Sequence, residues 1–240
     1  MEKSKLEKFI TKYNLGGSCE SVIFKSDGDK LTVRAISDDK NVLGEVSVNN
    51  ISFPEGEFAV YETKKLRSIL SVLDEKLTVK TNVNNGKPTG LDITDGSTHA
   101  TFVLTDMSVI PQVPDLKKIP SMDLSIPLDE KFINTFIKAK NALNEVETFS
   151  VISSGETKDA SIVIGHSTIN TNRITIGTKT TTDPVKVEPI SFSANYLREI
   201  LTANKDVSAG TLQVSSKGLS VVKFVANDFT STYYLVQISV

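Results

Sequence analysis

The sequence predicts an α+β protein made of two similar domains, each with two helices packed on antiparallel strands. Most of the 240 residues fall into short segments in which apolar and polar residues alternate, as in strands that bury one face. Four segments follow the helical period instead, two in each half of the chain. Short pieces of the helices in the first half recur in the second half, in the same order.

Twelve segments have the composition and spacing of strands, and residues that favour turns separate most of them. Gly28, for example, lies in a short connection of the kind that joins the two strands of a hairpin. Prolines and glycines fall between the segments, which supports the assignment. The predicted strands are Val22–Lys25, Leu31–Ile36, Leu43–Val48, Leu77–Val83, Leu91–Thr94, Ala100–Leu104, Thr148–Ile152, Ser161–Ile164, Arg173–Gly177, Thr211–Ser215, Leu219–Val225 and Tyr233–Ile238.

The four predicted helices each carry one apolar stripe, with apolar residues spaced three and four positions apart. In the first of them the stripe occupies positions 6, 9, 10 and 13. Asp129 lies at the start of the third, where an acidic side chain interacts favourably with the helix dipole. The predicted helices are Lys3–Asn14, Glu62–Leu73, Leu128–Leu143 and Ser193–Lys205.

Two short matches relate the halves of the chain. Glu7–Ile10 recurs identically as Glu130–Ile133, 123 residues later, and Leu66–Leu70 resembles Leu197–Leu201 at an offset of 131. Convergent helix patterning is the alternative explanation, but two matches in the same order favour a duplicated domain. We therefore expect an N-terminal domain over residues 1–106 and a C-terminal domain over residues 128–240.

The segment between the two expected domains, residues 107–127, contains four prolines. Proline cannot continue a helix and removes a hydrogen-bond donor from a sheet, so we expect this segment to contain neither. Its apolar residues argue against a free linker. The sequence predicts an extended connector that lies along the protein surface.

Basic residues are concentrated in the predicted helices. The whole chain has a net charge of −2, which argues against a globally basic nucleic-acid binder. The four helical segments, however, hold 12 basic and 5 acidic residues, whereas the remainder holds 15 basic and 24 acidic residues. Of the basic residues 23 are Lys and 4 are Arg, a bias that exchangeable phosphate contacts or a low-GC genome would each explain. Helices that share one surface would make that surface positive.

The sequence lacks the motifs of the common catalytic and cofactor sites. It contains no phosphate-binding glycine loop, its two His residues are isolated, and the single Cys19 excludes an internal disulfide. We expect no cofactor, no metal site and no enzymatic activity, although a hydrolase that uses Cys19 or the clustered Asp residues remains an alternative. Neither a secretory signal nor a membrane-spanning stretch is recognisable, so a cytoplasmic protein is expected.

Two stretches resemble a known family. Phe58–Tyr61 leads into Leu66–Leu73, and Lys118–Pro120 leads through Leu128 and Asp129 into the helical segment Phe132–Leu143. Together with the repeated strand-rich domains, the positive helices and the proline-rich connector, they make the chain similar to the DNA polymerase sliding clamps. It most resembles the clamps of T-even-type tailed bacteriophages, which are related in architecture to proliferating cell nuclear antigen.

The resemblance implies a DNA-clamp fold and a ring of three subunits, with helices that line the hole and sheets that form the rim. It implies a processivity factor that encircles duplex DNA without sequence preference and tethers the replicative DNA polymerase in the infected bacterial host. A clamp-loader ATPase would place the ring on DNA. The alternative is a ring- or tube-forming phage structural protein without DNA in its lumen.

The resemblance also implies three sets of functional residues. The DNA-facing residues would be Lys3, Lys5, Lys8, Lys12, Lys64, Lys65, Arg67, Lys131, Lys138, Arg198 and Lys205. A head-to-tail subunit interface would join the edge strands around Thr98, His99, Ala100, Thr101, Phe102, Val103 and Leu104 and around Asn172, Arg173, Ile174, Thr175 and Ile176. A pocket for the peptide tails of partner proteins would involve Val109, Ile110 and Pro111 with Leu235, Val236 and Ile238 in the chain end Leu235–Val240.

Overall fold

The computed structural model describes residues 1–207 and 209–238. Its four helices are α1 (Lys3–Asn14), α2 (Thr63–Leu70), α3 (Glu130–Ala142) and α4 (Ala194–Ala203). The strands are β1 (Val22–Ser26), β2 (Leu31–Ile36), β3 (Val42–Val48), β4 (Gly56–Val60), β5 (Thr78–Asn84), β6 (Lys87–Thr94), β7 (His99–Val103), β8 (Leu124–Asp129), β9 (Thr148–Ser154), β10 (Asp159–Ile164), β11 (Ile174–Lys179), β12 (Lys186–Ser193), β13 (Ala209–Ser215), β14 (Leu219–Ala226) and β15 (Phe229–Val236).

The predicted α+β class is confirmed, with two helices in each half and the paired strands antiparallel. Each of the four helical segments contains a helix, and each of the twelve strand segments overlaps a strand. Three strands, β4, β8 and β12, were not predicted. β4 breaks the alternating pattern because it buries three successive residues, and β12 contains a proline and buries four successive residues. β8 alternates, but its proline placed it in the predicted connector.

The expectation that residues 107–127 would contain no sheet is wrong for its last part, because β8 pairs with β13 and places Pro127 opposite Thr211. β8 is the terminal strand of its sheet, so only one of its edges pairs with another strand. A proline is tolerated there because no strand on the other side needs a hydrogen bond from its missing N–H. In β12, Pro189 lies in a register shift between Val187 and Ile190. Both prolines therefore occupy positions that tolerate them.

The chain divides into two compact units that are not continuous in sequence. The first comprises Met1–Asp38, Gly44–Pro114 and Ala226–Ser231, and the second comprises Asp39–Leu43, Asp115–Val225 and the residues from Thr232 onward. In the first unit the strand orders are β4-β1-β2-β3 and β5-β6-β7. In the second unit they are β15-β14-β13-β8 and β11-β10-β9-β12.

Each unit incorporates a hairpin tip from the other half of the sequence. In the first unit, the tip between β14 and β15 is held by Asp228, whose backbone carbonyl accepts a hydrogen bond from the Asn49 amide at 2.9 Å. In the second unit, the tip between β2 and β3 is held by Asp39, whose carboxylate accepts a hydrogen bond of 2.8 Å from the Tyr196 hydroxyl of α4. Each unit is therefore completed by a hairpin tip whose sequence belongs to the other half of the chain.

Aromatic clusters beneath the helices form the cores of the two units. In the first, Phe9 and Tyr13 of α1 meet Phe24 edge-to-face at 5.4 and 5.6 Å between ring centroids. In the second, Phe136 of α3 meets Phe149 at 5.6 Å. All five rings are fully buried, so the helices are fixed to the strands by the same apolar stripes that identified them in the sequence.

The starts of three helices are capped by side chains. Asp129 accepts a hydrogen bond of 2.7 Å from the Phe132 amide of α3, and Ser193 accepts one of 3.2 Å from the Tyr196 amide of α4. In α2 the cap comes from outside the helix, because the Glu20 carboxylate accepts a hydrogen bond of 2.8 Å from the Lys64 amide. In the part of the chain that the structure describes, no helix has the length and apolarity required to cross a membrane.

Candidate nucleic-acid interface

The helices pack in pairs, α1 against α2 in the first unit and α3 against α4 in the second. With the bounds observed in the structure, the four helices hold 11 basic residues and only 3 acidic ones. Because the apolar stripes are buried under the helices, the exposed charges project from the opposite faces, and they comprise six basic residues and one acidic residue. The helix pairs therefore supply the main candidate surface for an anionic ligand.

Four cations on these helices are exposed and have no ion-pair partner among the described residues. They are Lys64 and Arg67 on α2, and Lys131 and Lys138 on α3. Lys205, which follows the end of α4, is also exposed. An exposed cation without a carboxylate partner keeps its full charge for a ligand, so these residues are the best supported of the proposed DNA-facing set.

Two other residues of that set are placed less favourably. Lys65 is exposed but lies 3.6 Å from the Glu62 carboxylate. Arg198 donates two hydrogen bonds to the neighbouring Glu199 carboxylate, at 3.1 and 2.7 Å, which partly neutralises its charge. Arg67 and Arg198 occupy equivalent positions in the two repeats, yet their electrostatic environments differ. Lys8 is exposed on α1 and stays a candidate.

The prediction that Lys12 faces solvent is wrong, since this side chain is 1% exposed and its ammonium lies 5.4 Å from the centre of the Phe229 ring. A buried cation over an aromatic face stabilises the fold instead of attracting a ligand. The Phe229 ring belongs to the hairpin tip that the second half of the sequence contributes to the first unit. The helical period alone does not reveal this tip.

Lys3 and Lys5 are also engaged within the first unit. The Lys3 ammonium donates a hydrogen bond to the Leu73 carbonyl just beyond α2, a position where a cation favours the helix dipole. The Lys5 ammonium lies 2.5 Å from the Asp228 carboxylate and 2.8 Å from the Asn50 carbonyl. Neither lysine is therefore freely available to contact DNA.

Lys140 is a cation on the apolar side of α3, and it is fully buried. Its ammonium donates a hydrogen bond of 2.8 Å to the Asn144 carbonyl and a longer one to the Leu143 carbonyl. Burial, followed by the positive charge of Arg198, lowers the pKa of Lys140. This lysine satisfies carbonyl groups at the end of α3 and has a structural role.

The contact between Lys5 and Asp228 predicts a contribution to acid stability. Hydrogen bonds from the Lys5 ammonium, which has the larger effect, and from the Asn50 side chain hold the pKa of the Asp228 carboxyl below its usual range. Because the pKa is lower in the folded chain, this contribution is present above the ordinary Asp pKa of about 3.9 and disappears as the pH falls through the folded value.

We expect Asp228→Asn to lower the urea midpoint near neutral pH and to lessen the further loss of stability on acidification. Urea unfolding followed by circular dichroism as the pH is lowered measures both effects. Asp183→Asn, at a fully exposed carboxylate, is the matched control. Equal midpoints for Asp228→Asn and the wild type near neutral pH would contradict the proposed contribution.

The two segments proposed for the subunit interface both lie at sheet edges. β7 is the terminal strand of β5-β6-β7, and β11 is the terminal strand of β11-β10-β9-β12. In the first segment Phe102 and Leu104 are buried, whereas Val103 is 75% exposed. In the second, Ile176 is buried, and Asn172 and Arg173 are exposed in the loop before β11. Ile169 in that loop is 72% exposed.

The residues proposed for the partner-peptide pocket belong to different units and are described separately. In the first unit Val109 and Pro111 are exposed and Ile110 is buried. In the second, Leu235 is fully buried in its strand, Val236 is 45% exposed and Ile238 is partly exposed. The last two residues of the proposed chain end, 239 and 240, lie outside the described residues. The pocket stays a prediction.

An open groove of about 660 Å³ lies beside α2 and was not predicted from the sequence. Tyr61, immediately before the helix, contributes an aromatic ring that is 49% exposed. A tyrosine between a strand and a helix has no motif that distinguishes it from a core residue, so only its exposure identifies it. The groove is lined by Glu20, Ser21, Tyr61, Glu62, Lys64, Lys65 and Ser68.

Cys19 and Asp27, which the sequence offers as catalytic candidates, have roles in packing and in a turn. Cys19 is 2% exposed, and its backbone carbonyl accepts a hydrogen bond from the Asn14 side-chain NH2 group. Asp27 accepts hydrogen bonds from the Lys30 and Asp29 amides and so organises a tight turn. Among residues 1–207 and 209–238, no cluster of three or more His, Cys, Asp or Glu side chains could hold a metal ion.

Comparison with solved structures identifies the fold. Proliferating cellular nuclear antigen from Entamoeba histolytica superposes with a TM-score of 0.70 at 12% identity, covering 99% of this chain and 96% of that one. The PCNA2–PCNA3 complex from Sulfolobus tokodaii gives a TM-score of 0.71 at 10% identity, with coverages of 97% and 96%. No protein-family model matches the sequence, and no curated protein matches it. The chain has the DNA-clamp fold, as the sequence predicted.

Proposed function

We propose that this protein is a sliding clamp, a processivity factor that encircles duplex DNA and tethers the replicative DNA polymerase to its template. The observation that carries the proposal is the exposed charge of the helices: six of their 11 basic residues are exposed, against one of their three acidic residues, within a clamp fold whose whole chain has a net charge of −2. A ring that attracts DNA only at its lining needs this distribution, because positive charge elsewhere would attract DNA to the wrong surface.

The composition of the helices suits a contact that must slide. Phosphate contacts hold a protein on DNA without reading sequence, whereas base contacts would trap it at particular sites. Three of the four exposed, unpaired helix cations are Lys, whose ammonium is a flexible point charge that exchanges readily between phosphates. In this role the protein binds DNA independently of sequence and catalyses no reaction.

We further propose that three copies close head to tail into the ring through β7 of one subunit and β11 of the next. The edges carry opposite charge, since Asp95 and Asp106 flank β7, and Arg173 and Lys179 lie at the two ends of β11. Backbone hydrogen bonds from Asp74, Thr98 and Ser97 lower the pKa of Asp95, which keeps this carboxylate charged. Open strand edges also favour pairing with a second chain.

The remaining roles follow the resemblance to the clamps of T-even-type bacteriophages. We propose that a clamp-loader ATPase opens the ring in the cytoplasm of the infected host and that partner tails bind near Val109 and Pro111. We propose that the two domains of the subunit follow the limits 1–106 and 128–240 with two adjustments: β8 extends the second domain back to Leu124, and the tips 39–43 and 226–231 are exchanged between the domains.

Electron microscopy of the purified protein tests the proposed function most directly. We expect rings with threefold symmetry and a central hole that admits duplex DNA, together with longer products when the ring is loaded on the primed template with the replicative polymerase. Stacked tubes, or rings that leave product length unchanged, would instead favour a phage structural protein without DNA in its lumen.

A further inference from the structure

The groove beside α2 contains two acidic residues whose carboxylates are already engaged by neighbouring groups. The Glu20 carboxylate accepts hydrogen bonds from the Lys64 amide at 2.8 Å and from the Asn14 side chain at 3.0 Å. In the first of these contacts it also complements the positive end of the helix dipole. The Glu62 carboxylate lies 3.6 Å from the Lys65 ammonium. The acidic residues therefore do not define the groove as a cation site.

The groups that remain available in the groove are hydrogen-bond donors and an aromatic face. The Lys64 ammonium and the Tyr61 hydroxyl make no side-chain hydrogen bond or ion pair with any described residue. The Tyr61 ring is half-exposed, and the Ser21 hydroxyl donates a hydrogen bond of 2.7 Å to the Tyr61 backbone carbonyl. A cation, a phenolic donor and an apolar ring together match a ligand that alternates anionic oxygens with apolar carbon.

We propose that this groove binds the sugar–phosphate backbone of the encircled duplex, with the Tyr61 ring against a deoxyribose and the Lys64 ammonium on an adjacent phosphate. The inference rests on the proposed function and adds to it a contact that is not ionic. Apolar contact with a sugar depends little on salt and does not distinguish bases, so it holds DNA without creating sequence-dependent stops.

The contact occurs once in each chain. At the offset of 131 residues that relates α2 to α4, the position of Tyr61 is taken by Phe192, which is fully buried. The capping also differs, because α4 uses its own Ser193 whereas α2 uses Glu20 from outside the helix. The proposed contact with the DNA backbone is therefore made by the first unit and not by the corresponding position of the second.

Salt titration of DNA binding separates the aromatic contact from the ionic one. Fluorescence anisotropy would measure binding to a short linear duplex, which a ring-shaped assembly can thread through its free ends without a loader. Tyr61→Ala should weaken binding about threefold to tenfold at every salt concentration, because the apolar contact is removed, and leave the slope of log K against log salt unchanged. Tyr61→Phe, which keeps the aromatic ring, should retain most of the affinity.

Lys64→Gln is the matched ionic control in the same groove, and its salt slope should become shallower by about 0.9 for each phosphate that the lysine neutralises in the wild type. If Tyr61→Ala binds DNA like the wild type while Lys64→Gln shows the shallower slope, the Tyr61 inference is wrong and the proposed function stands. If wild-type binding shows no salt dependence, the proposed function itself fails. Loss of polymerase binding alone in Tyr61→Ala would assign the groove to a protein partner and overturn the inference.

Discussion

Reversing the four exposed, unpaired helix cations should abolish DNA tethering and leave the fold intact. The variant replaces Lys64, Arg67, Lys131 and Lys138 with Glu. We expect its affinity for duplex DNA at physiological salt to fall by at least about two orders of magnitude, because phosphate contacts dominate sequence-independent binding. Polymerase stimulation should be lost with it. The four side chains are exposed, so the thermal midpoint should change little.

The control for this variant changes the same number of basic residues to Glu outside the helices, at Lys30, Lys80, Lys217 and Lys223. All four are exposed in strands or turns. Both quadruple variants have the same net charge, so a difference between them reports where the charge lies. Equal loss of DNA binding in the two would show that only total charge matters, which contradicts a lining formed by the helices.

The second large effect concerns ring closure. Val103 on β7 and Ile169 before β11 have the highest exposed fractions, 75% and 72%, among the large apolar side chains of the described residues. Burying a valine or isoleucine at a subunit contact contributes about 1.5–3 kcal/mol. We expect Val103→Asp and Ile169→Asp each to weaken association at least about tenfold, and the double variant to sediment as a monomer with an unchanged thermal midpoint.

Val225→Asp provides the matched control for ring closure. Val225 is 69% exposed but lies on β14, which is neither of the two proposed edge strands. Sedimentation velocity over a range of protein concentrations should show the wild-type assembly for this variant. Dissociation of Val225→Asp to the same extent as the double variant, or intact rings in the double variant, would contradict a contact through β7 and β11.

A helix or strand of this protein is predictable from the sequence when the contacts that determine it are local in the chain. The apolar stripe that includes Phe9 and Tyr13 defines α1 because three- and four-residue spacing is a property of the helix itself. By contrast, β8 was missed because Pro127 is tolerated only at an open sheet edge, and an edge is a property of the whole sheet.

The same distinction separates the candidate cations. Lys64 and Lys131 are exposed as the helical period predicts, because only their own helices and the core decide their direction. Lys5 and Lys12 lie in the same kind of helix but meet Asp228 and Phe229, more than 200 residues away in sequence. Helical periodicity places a side chain on a face, and only the tertiary structure shows what covers that face.

The exchange of hairpin tips has a consequence for synthesis of the chain on the ribosome. The first unit includes residues 226–231, so it cannot be completed until that segment has left the exit tunnel. During translation the N-terminal half waits with the Lys5 ammonium unpaired and the pocket for Phe229 unfilled. The tip that completes the second unit, residues 39–43, is synthesised early, so it is the first unit whose folding depends on the arrival of the C-terminal half.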